Sequence, residues 1–147
     1  MLQNELLMSA ITGWFIAQVL KTLIHVWVNR KFVWERLVGS GGMPSSHSAT
    51  VCALATSAGI RYGATSPAFA ISAILAIIVM YDARGVRRET GKQAVVINEM
   101  IELFEKINGA APVEEKLKEF IGHSPLQVTM GAILGIVVGA VFSLYIF

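Results

Sequence analysis

Gly41-Gly42-Met43-Pro44-Ser45-Ser46-His47-Ser48, running on without a break into Ala-Thr-Val-Cys-Ala-Leu-Ala-Thr-Ser-Ala-Gly-Ile over residues 49–60, is the stretch that decides how this chain is read. Two glycines and a proline make a turn, and the turn delivers two hydroxyls and an imidazole to the start of an apolar helix rich in small residues. Free backbone N–H groups at a helix N-terminus attract anions, and serine hydroxyls beside them add donors. A histidine in the same turn can hand a proton to a leaving oxygen. The plainer role of Ser45 is an N-cap. Donors plus an acid on the rim of an apolar helix point to phosphate chemistry at a membrane surface.

Composition agrees with a membrane. Of 147 residues 54% are hydrophobic and only 15% are charged, against roughly 25% charged in soluble domains. About 20 apolar residues cross the hydrocarbon, and segments 6–28 and 125–147 meet that length; segments 46–62 and 67–83 are shorter. The expectation is an all-α integral membrane protein: one domain over 1–147, a bundle of about four transmembrane helices, and a cytoplasmic helical insertion at 89–121. The N-terminus lacks the basic region and small-residue cleavage site of a signal peptide. The single cysteine, Cys52, lies mid-helix and reads as packing.

With four spans, residues 29–43 and 82–124 share one side of the membrane. That side carries Arg30, Lys31, Arg36, Arg84, Arg87, Arg88, Lys92, Lys106, Lys116 and Lys118, whereas the other carries Arg61 alone. The positive-inside rule puts the richer side in the cytoplasm. Within the insertion, Val96, Ile97, Met100, Ile101, Phe104 and Ile107 recur at the spacing of one helix face, with Glu99, Glu102, Glu105 and Lys106 opposite. Gly109 stops that helix and Pro112 opens a second through Phe120. The pair is expected to lie on the membrane surface or to cap the bundle.

Several polar residues are costly in a membrane. Gln18, Lys21 and His25 share one face of the first span. A lysine at mid-depth costs of order 2.5–3.5 kcal/mol, so Lys21 either has a role in the bundle or snorkels to the headgroups. At the end of the third span, Arg84, Arg87 and Arg88 surround Gly85, as a surface anchor or as a phosphate clamp, with Asp82 placed to orient one of them or a histidine. His123 precedes the last span. The topology thus brings Lys21, Ser45, Ser46, His47, Arg87 and His123 to one membrane face, where two histidines and cations can run phosphoryl transfer through a covalent phosphohistidine without a metal or other cofactor.

These residues resemble those of the type 2 phosphatidic acid phosphatase superfamily, which includes vanadium-dependent haloperoxidases. The closer resemblance is to its small branch described as acid phosphatase/vanadium-dependent haloperoxidase-related. Pro44-Ser45-Ser46-His47 is similar to the superfamily's Pro-Ser-Gly-His, with Ser46 in place of glycine. His123-Ser124-Pro125-Leu126-Gln127-Val128-Thr129-Met130-Gly131 resembles its His-x-Pro-x-Asp-Val-x-x-Gly. The branch's own phrases occur at 41–49, 80–88 and 122–125. Three departures stand out. Lys21 has no Arg-Pro at the expected distance. Leu117 stands where the third motif has its arginine, with Arg87 or Arg88 the substitute. Gln127 replaces the aspartate that orients the nucleophile. The superfamily fold is typically a six-helix bundle, against four spans here.

The resemblance implies a lipid phosphatase of the bacterial cytoplasmic membrane, its site facing the cytoplasm. His123 would attack phosphorus and His47 would protonate the leaving oxygen. Lys21, Ser45, Ser46 and Arg87 or Arg88 would hold the equatorial oxygens, and Asp82 or Gln127 would orient a histidine. Phosphatidic acid, phosphatidylglycerol phosphate and isoprenyl diphosphates are the candidate substrates; no nucleic-acid partner is expected. Two non-enzyme readings stay open. One is a lapsed phosphatase that scaffolds anionic lipid. The other is a small oligomeric transporter subunit, for which Gly131, Gly135 and Gly139 supply a packing stripe between copies; the same stripe equally seats the last helix in its own bundle.

Overall fold

The computed structural model describes residues 4–30, 42–108, 117 and 123–146, without the side chains of 86–88 and 108. Five helices follow one another: α1 (Glu5–Asn29), α2 (Ser46–Tyr62), α3 (Pro67–Arg84), α4 (Val86–Asn108) and α5 (Pro125–Tyr145). Their starts are written in the sequence. Asn4, Ser45, Ser66 and Ser124 are N-caps whose side chains accept the N–H groups of Leu7, Ser48, Phe69 and Gln127. Each cap satisfies one of the donors a helix N-terminus leaves open. Proline opens α3 and α5, where its missing N–H costs nothing.

α2 is the axis of the bundle, with α1, α3 and α5 all packed on it. The packing works through small residues. A Cβ on Gly131 or Gly135 would run into the Ser45 or Ala49 carbonyl, and one on Gly139 would lie 2.7 Å from the Ala53 carbonyl. Only glycine lets α5 approach α2 this closely, the small-residue contact by which membrane helices associate when no hydrophobic force separates helix from lipid. The glycine stripe is therefore occupied within the chain. This is the alternative in which the stripe of Gly131, Gly135 and Gly139 seats the last helix in its own bundle.

α1, the Pro67–Ile107 stretch and α5 are long and apolar enough to cross a membrane. α2, with 17 residues, is the shortest helix and the most enclosed. Among the described residues all secondary structure is helical. Bands of exposed aromatic side chains lie at both ends: Trp27 and Tyr81 where α1 and α3 finish, Tyr62 and Tyr145 where α2 and α5 finish. Tyrosine and tryptophan concentrate at the two membrane–water interfaces, so these bands bracket the hydrocarbon zone.

The end near Tyr62 and Tyr145 holds a polar network that sequence reasoning missed. Ser143 Oγ donates to Ser57 Oγ (2.9 Å), Ser57 Oγ to Ser9 Oγ (2.7 Å), and Ser9 Oγ to the Ala53 carbonyl (3.3 Å). The chain of hydroxyls ties α5, α2 and α1 together. One turn further out, Arg61 Nε meets Glu5 Oε2 at 3.1 Å.

α4 starts at Val86, a turn and a half earlier than its apolar periodicity suggests, because the Gly85 N–H closes α3 on the Tyr81 carbonyl and the chain turns helical again at once. Gly91, Ala94 and Asn98 form its buried side, while Val96, Met100, Phe104 and Ile107 are exposed. Asn98 is matched to Leu117, donating from Nδ2 to its carbonyl and accepting its N–H at Oδ1, both at 2.9 Å. The helix expected at Pro112–Phe120 lies outside the described residues, apart from Leu117.

Candidate phosphate site

The site forms where α1 and α3 end and α2 and α5 begin. Two main-chain hydrogen bonds fix the meeting. The Ser45 N–H donates to the Gln127 carbonyl at 3.0 Å, locking the 42–45 turn to the first turn of α5, and the His123 N–H donates to the Ala83 carbonyl at 3.1 Å, locking the approach to α5 onto the end of α3. His47, in the first turn of α2, and His123, just ahead of the Ser124 cap, face each other in consequence. Their ring centroids are 5.7 Å apart with the planes at 80°. His123 is 3% exposed and His47 half-buried, and the Nδ1 atom of each ring is buried.

Lys21 is 3% exposed. Its stem runs past Gly42, where φ is +90° and a Cβ would lie 3.0 Å from Lys21 Cγ. Glycine is required there twice over, by the backbone conformation and by the lysine. The turn therefore closes over the lysine and holds it beside the start of α2. This favours a role in the bundle over snorkelling. Gln18, one turn along α1, is also buried, and its Oε1 has no hydrogen-bond partner among the described residues. His25 stands apart: it is half-buried, and its Nδ1 pairs within its own helix with Asn29 Nδ2 at 3.0 Å.

Two of the expected site residues serve helix starts. Ser45 is fully buried, its Oγ accepts the Ser48 N–H and its carbonyl accepts the Ala49 N–H, so it builds the helix start. Gln127 does not hold a histidine ring by its carbonyl oxygen: that Oε1 accepts the Ser124 N–H at 3.0 Å while Ser124 Oγ accepts the Gln127 N–H, a reciprocal capping box. Ser46 is buried at the same helix start. Asp82 is half-buried next to Ala83, whose carbonyl holds His123, and it is the sole carboxylate on α2, α3 and α5. Arg87 and Arg88 begin α4 one turn away; their side chains lie outside the described part. No three His, Cys, Asp or Glu side chains converge among the described residues.

Two facing imidazoles, the buried Lys21 and the first-turn amides of α2 form a donor-rich cluster at the end of the bundle where Trp27 and Tyr81 stand. The α2 macrodipole adds partial positive charge at the same point.

Comparison with known proteins places the chain in a family. The "Uncharacterized membrane protein YuiD" of Bacillus subtilis (strain 168) is 41% identical over 154 residues, covering 99% of this chain and 98% of that protein. No solved structure matches. That likeness and the apolar helices identify an integral membrane protein. Residues 2–138 match the family described as the Divergent PAP2 family, and the chain belongs to it.

Proposed function

We propose that this protein is a lipid phosphatase acting through a phosphohistidine, on a phosphomonoester or diphosphate carried by an acyl or prenyl chain. The facing pair His47–His123 carries the reading, with ring centroids at 5.7 Å. An imidazole is a competent nucleophile toward phosphorus when a second group protonates the leaving oxygen. With Nδ1 buried in both rings, Nε2 is the reacting nitrogen. His123 forms the N–P bond as the ester P–O bond breaks, and His47 gives its proton to the departing alkoxide or phosphate. Lys21, Ser46, the α2 amides and Arg87 or Arg88 hold the equatorial oxygens, whose charge grows in the transition state. Water, deprotonated by His47, then releases phosphate. Asp82 is the carboxylate left to steady the His123 imidazolium, since Gln127 Oε1 serves the N-cap.

The test is phosphate release by purified protein in detergent from phosphatidic acid, phosphatidylglycerol phosphate, farnesyl and undecaprenyl diphosphates, and glycerol phosphate. At least one lipid should turn over far faster than glycerol phosphate. Vanadate, which mimics the pentacoordinate state, should inhibit, and chelators should not. His123→Ala should be inactive. Loss of activity with chelator and its return with magnesium would overturn the histidine mechanism. The ten-to-one charge bias supports a cytoplasmic site.

One observation favours a second reading. A glutamine engaged in helix capping where the superfamily has an orienting aspartate is what a lapsed enzyme retaining its anion pocket would carry. Binding of phosphatidic acid without release of phosphate from any of the five compounds would put that scaffold first.

A further inference from the structure

We propose that the gap between α1 and α3, over the first half of α2, holds the hydrocarbon chain of the lipid whose phosphate sits at His47 and His123. The inference deepens the phosphatase reading and rests on it for the headgroup. The groove itself follows from how α2 is covered.

α5 takes one side of α2, with Gly131, Gly135 and Gly139 against Ser45, Ala49 and Ala53; α1 takes the next, with Gly13 against Ala49 and Ala53. α3 takes a third, with Phe69 against Gly59 and Met80 Sδ 3.8 Å from Cys52 Sγ. Among the described residues no Cα of α1 comes within 8 Å of one of α3. The arc of α2 left between them carries His47, Thr50 and Leu54, which share one face by their spacing of three and four, and all three are half-buried. The groove closes below, where Ala58, next on this arc, is 0% exposed.

Its chemistry changes along its length. His47 stands at the head. Thr50 Oγ1 donates to the Ser46 carbonyl at 2.7 Å, which satisfies the hydroxyl within the helix and leaves the methyl to face outward. Leu54 completes an apolar floor. From His47 to Leu54 is seven residues, about 10 Å of helix at 1.5 Å per residue, which fits within the ~15 Å half-thickness of a bilayer's hydrocarbon core. The polar end lies at the level of Trp27 and Tyr81. A phosphate at the histidines with one chain running down this floor stays in a single leaflet and enters sideways from the bilayer.

The test places one fluorophore in the groove. In Cys52→Ala protein, Leu54→Cys is labelled with a small thiol-reactive dye, and the His123→Ala change keeps the lipid intact. In phosphatidylcholine nanodiscs, brominated-chain phosphatidic acid is compared with brominated-chain phosphatidylcholine at equal mole fraction, and Ile74→Cys on the outer face of α3 serves as reference. We expect phosphatidic acid to quench the Leu54 label about fivefold more effectively than phosphatidylcholine, an affinity difference of about 1 kcal/mol, with no preference at Ile74. Equal quenching by both lipids at Leu54 means bulk lipid fills the groove and overturns the inference. Independently, Leu54→Trp should lower kcat/KM for long-chain phosphatidic acid about tenfold and spare water-soluble phenyl phosphate; equal losses on both overturn it. Absence of turnover on every substrate counts against the phosphatase reading, and the quenching arm still decides the groove.

Discussion

Gly131→Ala tests whether the α2–α5 contact sets the distance between the two histidines. The new Cβ collides with the Ser45 carbonyl, a main-chain atom in the turn that carries His47 two residues later. Ordinary contact begins at 3.4 Å, so α5 must back away from α2 by about 1 Å before dispersion contact is normal. Overpacking of this kind costs about 1–3 kcal/mol. The displacement falls on the stretch that joins α5 to the site, because the Ser45 N–H is bonded to the Gln127 carbonyl. A misplacement near 1 Å between reacting groups costs on the order of a hundredfold in rate. Gly139→Ala is the control: it meets the Ala53 carbonyl at 2.7 Å, carries a similar packing cost, and lies about 12 Å further along the helix. Thermal unfolding in detergent should show comparable losses for the two variants, whereas turnover and vanadate affinity should collapse for Gly131→Ala only. Unchanged turnover in folded Gly131→Ala protein would refute the reasoning, as would equal loss in both variants.

Gly42→Ala forces φ +90° on an alanine and pushes a Cβ to 3.0 Å from Lys21 Cγ; vanadate affinity should fall with KM rising more than kcat falls, measured by inhibition kinetics. Ser57→Val breaks the hydroxyl chain that joins Ser143, Ser57 and Ser9, taking away the acceptor of the buried Ser143 hydroxyl at about 1–3 kcal/mol; the melting temperature should drop while the KM of surviving protein holds. In a Cys52→Ala background, cysteines at Lys92 and at Thr65, both exposed, should react with an impermeant thiol reagent from opposite sides, Lys92→Cys from the cytoplasm. Labelling in the reverse sense would move the site to the outer leaflet.

Helix starts were legible in the sequence because their signals are local. Ser45, Ser66 with Pro67, and Ser124 with Pro125 each fix a cap within a turn of chain, and α2, α3 and α5 begin where those residues predict. The convergence of Lys21, His47 and His123 was legible too, since charge bias orders the loops and the loops order the helix ends. Partnerships across helices were not. Nothing local distinguishes Ser9, Ser57 and Ser143 from other serines in apolar helices, and their network exists only once α1, α2 and α5 are packed. The Gln127 part of the capping box was not legible for the same reason: a motif names residue types, while which group an oxygen pairs with is decided by geometry.

The small residues of α2 connect these observations. An axis helix touched by three neighbours must let each of them near its backbone, so ten of the 17 residues of α2 are serine, alanine, threonine or cysteine, and α5 answers with glycines. Such close packing lets two main-chain hydrogen bonds pin the 42–45 turn and His123, and so allows a site to be held at one end of a bundle this small. Among the described residues the same economy of helices leaves no helix over the fourth side of α2, where His47, Thr50 and Leu54 are half-buried. In a larger bundle another helix would lie over His47, Thr50 and Leu54. On the proposed reading the bilayer has access to that face, with His47 at its polar end.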